Sequence, residues 1–479
     1  MTQLLRFVWM AAAFGVATVA GCAGLPHDPE QQHAVDAGTL GLSPEVAPRI
    51  DNGWWHAYQD EQLDGLVQRA LAANPTLAQA LSRVREAQAA SDATHAGLRP
   101  NLTYDAQDQW QHISANYILP PPLGGGTDWL GQERLNMSWD LDFWGRQASL
   151  LKRDKLLTAA DQLDVATARL ALAGALARTY IELHREYAFA DVAARTEQQR
   201  ARILEITRRR VQEGLDTNVE LNEAENAVAA ARVQLRQAES AQSLAIHQIA
   251  ALCGEGANGH GGLHRPTLNL EAALPLPNNL PSDLLGHRPD VLAARARVEA
   301  ARAGQAAAKA AFYPDLSLAA FIGTDATSID NLFAAPSRTY GIGPALHLPL
   351  FEGGRLHANY RGATAQIDDA IANYNATVFQ AVSQAADQLS LVEALRKEVA
   401  DQQAALEAAE RAYHLAEERY EAGLSGYLTV LSAETQLLNA RRQRVELGSD
   451  DAIARVSLLL AVGGSFDPEK PATDWVAAK

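Results

Sequence analysis

The sequence is poor in several things at once. It has two cysteines in 479 residues, so neither a disulfide framework nor a four-thiolate zinc site can be built from it. Aromatics make up only 6%, while alanine is abundant, which argues against a bulky globular core and for long helices that approach closely. There is no basic block. Its 41 Lys+Arg are outweighed by 57 Asp+Glu, a net charge of −16, so nucleic acid, which needs clustered Lys/Arg, is excluded as a partner. Beyond the N-terminal stretch no run of apolar residues is long enough for a transmembrane helix, which leaves a lipid anchor, a β-barrel, or both. No Gly-rich phosphate loop, zinc-protease helix or nucleophile-elbow serine is present, and no enzyme is expected. What is there is 47% hydrophobic, ample for a buried core and too much for a disordered chain.

Residues 1–21 have the form of a signal peptide: one early Arg, the apolar stretch 7–20, then small residues. Val19-Ala20-Gly21-Cys22 also has the form of a lipobox, which makes Cys22 the expected lipidated first residue of a 458-residue mature chain. An ordinary secretory signal that happens to contain a Cys is the competing reading. Ala23 follows Cys22 where an Asp would mark inner-membrane retention, and this favours outer-membrane sorting. Loss of Arg6 leaves 40 basic and 57 acidic residues, a net of −17. Cys253 sits among Ile249, Ala250, Ala251 and Leu252 and is expected to be a buried, inert thiol.

The rest of the chain is written twice. Asn74-Pro75 and Arg288-Pro289 each open an alanine-rich helix, 214 residues apart, and Pro100 and Pro314, again 214 apart, each close one. Phe143-Trp144-Gly145-Arg146 recurs as Phe351-Glu352-Gly353-Gly354-Arg355, with Arg146 and Arg355 offset by 209. Arg210 to Leu215 matches Arg419 to Leu424, and Cys253-Gly254 matches Val462-Gly463, at the same offset. Each repeat therefore reads helix, two strands, very long helix, turn, long helix.

Alternation predicts the strands, at about 102–113, 131–142, 315–324 and 339–350. Leu102, Tyr104, Ala106 and Trp110 share a face in the first, with Asp108 as an exception; Phe321 breaks the polar side of the third. Segments of about ten residues with this alternation fit transmembrane β-strands, with a water-facing sheet as the alternative. Four strands cannot close a barrel, for which about eight is the practical minimum, so strands in a membrane must be pooled from several chains. Trp110, Trp129 and Trp139 are candidates for an interfacial girdle or for packed core. The Pro/Gly-rich stretch 116–129 suits an exposed loop. Arg146 to Glu213 has no Pro and one internal Gly, Gly174, and would extend to about 100 Å as a helix. A helix of that length needs neighbours along it, and coiled-coil packing supplies them. The hairpins span 146–252 and 355–462. Their turns are Gly214-Leu215-Asp216-Thr217, with Asp216 or Thr217 as the N-cap, and Gly423-Leu424-Ser425-Gly426.

At this point the chain resembles the TolC-like outer-membrane factors, in particular their NodT-type lipoprotein branch. The residues that carry the resemblance are Trp54-Trp55 with Asp60-Glu61-Gln62-Leu63, the paired Asn-Pro and Arg-Pro-Asp helix starts, Arg99-Pro100-Asn101-Leu102, Phe312-Tyr313-Pro314-Asp315-Leu316, Leu348 to Arg355, and the Tyr420–Glu434 turn region. It implies an α+β membrane protein: a homotrimer whose twelve-stranded β-barrel, four strands per chain, continues into a long periplasmic coiled-coil barrel with a mixed α/β belt at its middle. It implies a bacterial outer-membrane efflux duct that uses no cofactor, whose turns meet a periplasmic adaptor linked to an inner-membrane pump. The corresponding divisions are a signal peptide 1–21, a lipidated segment 22–60, repeat one 61–254, an equatorial segment 255–288, repeat two 289–463 and a tail 464–479.

The resemblance also places the aperture. Tyr420 matches the family's tip tyrosine, and Glu220 is acidic as expected, but Thr429 and Ser432 stand where aspartates are usual and Ser425 where a basic partner can occur. Repeat two thus lacks the usual acidic ring. Either Glu220 and Glu223 of repeat one replace it, or the channel is closed more loosely. Adaptor contact is expected at the residues of the two turns. His260 and His264 have metal-like spacing but lie in a Gly-rich loop, and no metal is expected there. Three chains of −17 would carry −51, which favours passage of cations. A lipidated periplasmic adaptor is the runner-up, set back by the duplicated strand-pair-plus-hairpin pattern; a lipid-anchored enzyme on a coiled-coil spacer is the third reading.

Overall fold

The computed structural model describes residues 32–43, 50–116, 118, 120–121, 124–256, 262–280 and 284–468. Cys22 and His260 lie outside them. In chain order the main elements are α1 (Glu61–Ala73), α2 (Pro75–Ala96), β1 (Asn101–His112), β2 (Thr127–Asp140), α3 (Arg146–Gln212), α4 (Asn218–Leu252), the single turn α5 (Leu284–His287), α6 (Pro289–Ala310), β3 (Asp315–Ala326), β4 (Arg338–His347), α7 (Arg355–Glu421) and α8 (Tyr427–Ala461). The long helices α3 and α7 are 67 residues each and the return helices α4 and α8 are 35 each. The chain forms two compact units, and each draws on both repeats. One takes Val84–Ala160 and Ala294–Tyr374 with the residues up to Ala34; the other takes Val35–Arg83, Asp161–Ala293 and Asn375–Lys479.

The first unit holds one antiparallel sheet in the order β1-β2-β3-β4. Its register puts Tyr104, Leu135, Ile322 and Tyr340 in one row and Leu102, Met137, Ala320 and Ile342 in the next. This face is apolar yet exposed: Tyr340 is 80% and Ile342 76% accessible. The opposite face carries Thr103, Asn136, Asp105 and Arg134, with Arg134 bonded to Asp325 at 2.9 Å. Phe321, the apolar residue on the polar side, is explained by its neighbours. Its ring fills the space over Gly341, and the Arg134 guanidinium lies 5.2 Å above it. Strand β2 begins at Thr127, four residues before the expected start, because its pairing with β1 runs on through Trp110 and Trp129, whose rings sit 5.6 Å apart. Trp139 is tied elsewhere, donating from Nε1 to the Leu98 carbonyl.

The second unit is helical and has the larger core, in which Tyr58, Leu63, Leu66, Leu176, Tyr180, Ile181, Leu183 and Ile249 are fully buried. Gly174, the one glycine inside α3, has a reason to be there: a Cβ would collide with the Leu460 side chain, so only glycine lets α8 come this close. Cys253 is buried with Sγ 3.7 Å from the Leu66 carbonyl, and burial raises its thiol pKa. Asp60 caps α1 through the Gln62 and Leu63 amides, and its carboxylate also receives the Tyr180 hydroxyl and the Thr267 amide. The residues 262–280 are thereby stitched to the N-terminal segment, with further bonds from Asn269 to Tyr58 and from Ser43 to Leu280.

The Asn-Pro and Arg-Pro motifs close a joint that is built twice. Asn74 caps α2 through the Thr76 and Leu77 amides and donates from Nδ2 to the Leu252 carbonyl at the end of α4. Arg288 donates to the Ala461 carbonyl at the end of α8 and pairs with Asp290. In both, a left-handed glycine follows the helix end, Gly254 or Gly463, packed so tightly on the Ala73 or His287 carbonyl that no Cβ fits.

Candidate aperture at the helical turns

The turns lie in the second unit. In repeat one, Gly214 takes φ +71° after α3, and Thr217 caps α4 by accepting from the Val219 amide. Glu220 completes a capping box: its carboxylate accepts from the Thr217 amide at 2.8 Å and from the Thr217 hydroxyl. Thr217 therefore resolves the choice of cap. The Thr217 hydroxyl holds the Glu220 carboxyl below the usual carboxylate range. In the single chain this carboxylate is turned back onto its own helix start.

Asp216 does something else. It accepts from Arg210 Nε at 2.8 Å and Nη2 at 3.2 Å, and from the Tyr420 hydroxyl at 2.8 Å. Tyr420 is fully buried at the end of α7, its hydroxyl 3.1 Å from the Thr207 hydroxyl, with the Arg210 guanidinium 4.7 Å over its ring. Arg210 also reaches the Tyr420 carbonyl. One guanidinium thus ties α3, the first turn and α7 together, and it holds the Asp216 carboxyl below the usual range. Burial pushes the Tyr420 hydroxyl above its ordinary value.

A second tie lies deeper. Arg200 Nε donates to Glu434 at 3.1 Å and Arg200 Nη1 to the Ala227 carbonyl at 2.9 Å, joining α3, α4 and α8. Burial raises the Glu434 carboxyl pKa and Arg200 opposes the shift. Around these ties pack Ile203, Val228, Tyr413, Tyr427, Val430 and Leu437.

Of the residues expected at the site, Tyr420 and Asp216 are brought together. Glu220 and Thr217 form their own pair. Glu223 is half-exposed and close enough for its charge to act on Tyr427. Thr429 and Ser432 are exposed on the first turns of α8, with no side-chain hydrogen bond among the described residues. Leu215 and Leu424 stand out at 62% and 71% accessible. The Ser425 hydroxyl is buried without a partner. His264 is held by its backbone to Gln62, and among the described residues no cluster of three His, Cys, Asp or Glu could hold a metal ion. Arg210, Arg200 and Glu434 were not singled out from the sequence. Glu434 had a visible signal: it interrupts the stripe Tyr427, Val430, Leu437 at core-facing spacing.

The outer membrane efflux protein model matches residues 66–255 and 280–464. The chain belongs to this family. The fusaric acid resistance protein FusA of Burkholderia cepacia is 35% identical over 359 residues, covering 73% of this chain and 68% of FusA. The multidrug resistance outer membrane protein MdtQ of Escherichia coli is 31% identical over 464 residues, 94% and 96% of the two chains. Among solved structures, the outer membrane protein VceC of Vibrio cholerae superposes with a TM-score of 0.82 at 34% identity, covering 87% of this chain and all of VceC. The Campylobacter jejuni CmeC outer membrane channel, at 24% identity and a TM-score of 0.83, shares the fold. This efflux protein is an outer-membrane channel, and its exposed apolar sheet face is the surface such a location requires.

Proposed function

We propose that the chain is the exit duct of a tripartite efflux pump: a homotrimer that passively carries drugs or other small toxic solutes from a periplasmic adaptor and an inner-membrane pump to the exterior, without catalysis. One observation carries the trimer. The four-stranded sheet has an apolar face exposed and two outer strands, β1 and β4, each paired on one side only among the described residues. Open sheet edges cannot lie in hydrocarbon, and four strands cannot close on themselves. Pairing β1 of one chain with β4 of the next removes the edges, and three chains give twelve strands. The long helices then form the periplasmic barrel, with 255–288 and the termini as its belt.

Leu215 and Leu424 offer the adaptor an apolar contact beside the polar turns Gly214 to Thr217 and Gly423 to Gly426. Glu220 and Glu223 are the aperture acids, and the Arg210–Asp216–Tyr420 tie is what keeps the turns together. Cys22 is lipidated. The length of chain is compatible with such an anchor: the Gln32 amide is fixed to Asp368 at 3.0 Å, thirteen residues past the start of α7, about 20 Å along the helix. Ten residues of chain from Cys22 to Gln32 span up to about 35 Å. Palmitate labelling of wild type and Cys22→Ser decides this; an unlabelled wild type leaves an ordinary secretory signal.

The decisive experiment is single-channel recording of the purified trimer in a planar bilayer. Discrete steps establish the pore. Glu220→Gln is expected to raise the current and weaken cation preference; unchanged current and selectivity would remove Glu220 from the aperture. Silence from both wild type and the Glu220→Gln/Glu223→Gln pair would mean that these carboxylates are not what closes the aperture.

A further inference from the structure

Three Asp, Glu or Arg residues stand on the apolar face of the sheet. Asp108 of β1, Glu133 of β2 and Arg338 of β4 share their strand parity with Tyr104, Leu135 and Tyr340. Glu133 accepts from the Tyr104 hydroxyl at 2.6 Å. Asp108 and Arg338 are exposed and make no ion pair or side-chain hydrogen bond among the described residues. A charge on a lipid-facing surface is unfavourable unless it is paired or lies at the rim. These two also sit on the two outer strands, the edges that a trimer joins.

The pairing within the chain limits how those edges can meet. One row across the sheet runs Ala106, Glu133, Thr324, Arg338. For the apolar faces to continue from copy to copy, the residue of β1 opposite Arg338 must be even-numbered, like Leu102 and Tyr104. Strand β4 has 10 residues, Arg338–His347, and β1 has 12, Asn101–His112. Antiparallel pairing that leaves no part of β4 open in hydrocarbon puts residue 110, 111 or 112 opposite Arg338. Two registers meet both conditions, with Trp110 or with His112. Measured from Ala106 they offset neighbouring copies by about four or about six residues. In a twelve-stranded barrel this tilts the strands by about 35° or about 46°, each close to the usual range.

Charge separates the two. With His112 opposite Arg338, Asp108 faces Ile342, and Arg338 has no acid opposite or diagonal to it. With Trp110 opposite, Asp108 is the diagonal neighbour of Arg338, about 7–8 Å away along the backbone and within reach of so long a side chain. The guanidinium then also lies across from the Trp110 ring. We propose that Asp108 of each copy pairs with Arg338 of the next across the β1–β4 seam, and that this pair sets the register of the barrel. The inference rests on the homotrimer reading and names the contact that aligns it. Asp108, the exception in the alternation of β1, is then a registry device.

Disulfide trapping in the full-length protein tests the register on the polar face, where an added Cβ at Gly343 meets nothing within 4 Å. In the proposed register Gly343 faces Asp105 of the next copy; in the other it faces Gln107. Mild oxidation of Asp105→Cys/Gly343→Cys should give a covalent trimer on a denaturing gel, and Gln107→Cys/Gly343→Cys and Gly343→Cys alone should give none. A covalent trimer from the Gln107 pair instead would overturn the register and keep the trimer. No covalent product from either pair would overturn both. A charge swap supplies the second measurement, should the cysteine variants fail to assemble. Asp108→Arg and Arg338→Asp should each lower the temperature at which the trimer dissociates on a semi-native gel by a few degrees, and the double variant should recover most of the loss. A double variant no more stable than the singles would remove the pair.

Discussion

The two turns come from one duplicated design and are held in opposite ways. At the 209-residue offset Arg210 corresponds to Arg419, Asp216 to Ser425, Glu220 to Thr429 and Glu223 to Ser432. In repeat one the arginine is clamped by Asp216 and the following helix is capped by a side chain. In repeat two Arg419 is exposed and makes no ion pair among the described residues, the Ser425 hydroxyl is unpartnered, and Gly426 caps α8 without a side chain. One carboxylate, present in the first turn and absent from the second, accounts for most of the difference. The first turn is held by its own side chains, and the second has no ion pair or side-chain cap among the described residues.

The comparison can be broken from the largest effect down. Arg200→Ala strands Glu434 in the core and should cost about 3–5 kcal/mol, seen as faster hydrogen exchange in α3 and α8; adding Glu434→Leu should recover most of it. Asp216→Ala leaves Arg210 and Tyr420 without their shared acceptor, at about 1.5–3 kcal/mol, and should raise the open probability in bilayers, whereas Ser425→Ala should change neither. Acidification separates the ties. Asp216 has a lowered pKa, so its contribution is complete above the ordinary carboxylate range and is lost only as pH falls through its own lower value. Glu434 has a raised pKa, so the fold favours its protonated form, and its contribution is complete below the ordinary carboxylate range and declines as pH rises through its own higher value. On lowering the pH from 7 to about 4, protection against hydrogen exchange should therefore hold or rise at the α3–α8 contact, and residues 214–217 should lose theirs only at lower pH. Ser425→Asp would sharpen the comparison by giving Arg419 an acceptor at the repeat-one spacing. An exposed pair of this kind is worth about 0.2–1 kcal/mol, and the expected result is a modest drop in current.

Much of this is legible in the sequence. The proline positions, the single glycine in α3 and the alternation at Leu102 to Trp110 placed helices and strands because those signals are local. The capping box was half legible, since Thr217 and Glu220 stand three apart. The Arg210–Asp216–Tyr420 tie was not, because it depends on which faces of α3 and α7 meet, 210 residues apart in sequence. Phe321 looked like a fault in the pattern for the same reason: the glycine that gives it room, Gly341, is on the neighbouring strand.

The joint formed by Asn74 with Leu252, and again by Arg288 with Ala461, has a consequence for how such a chain could arise. Each copy ends where it began, fastened to its own opening helix by a bond that needs nothing from the other copy. A gene segment encoding one copy is thus a self-closing cassette. It can be doubled in tandem without redesigning either end, and afterwards the two turns, remote from the seam, are free to diverge.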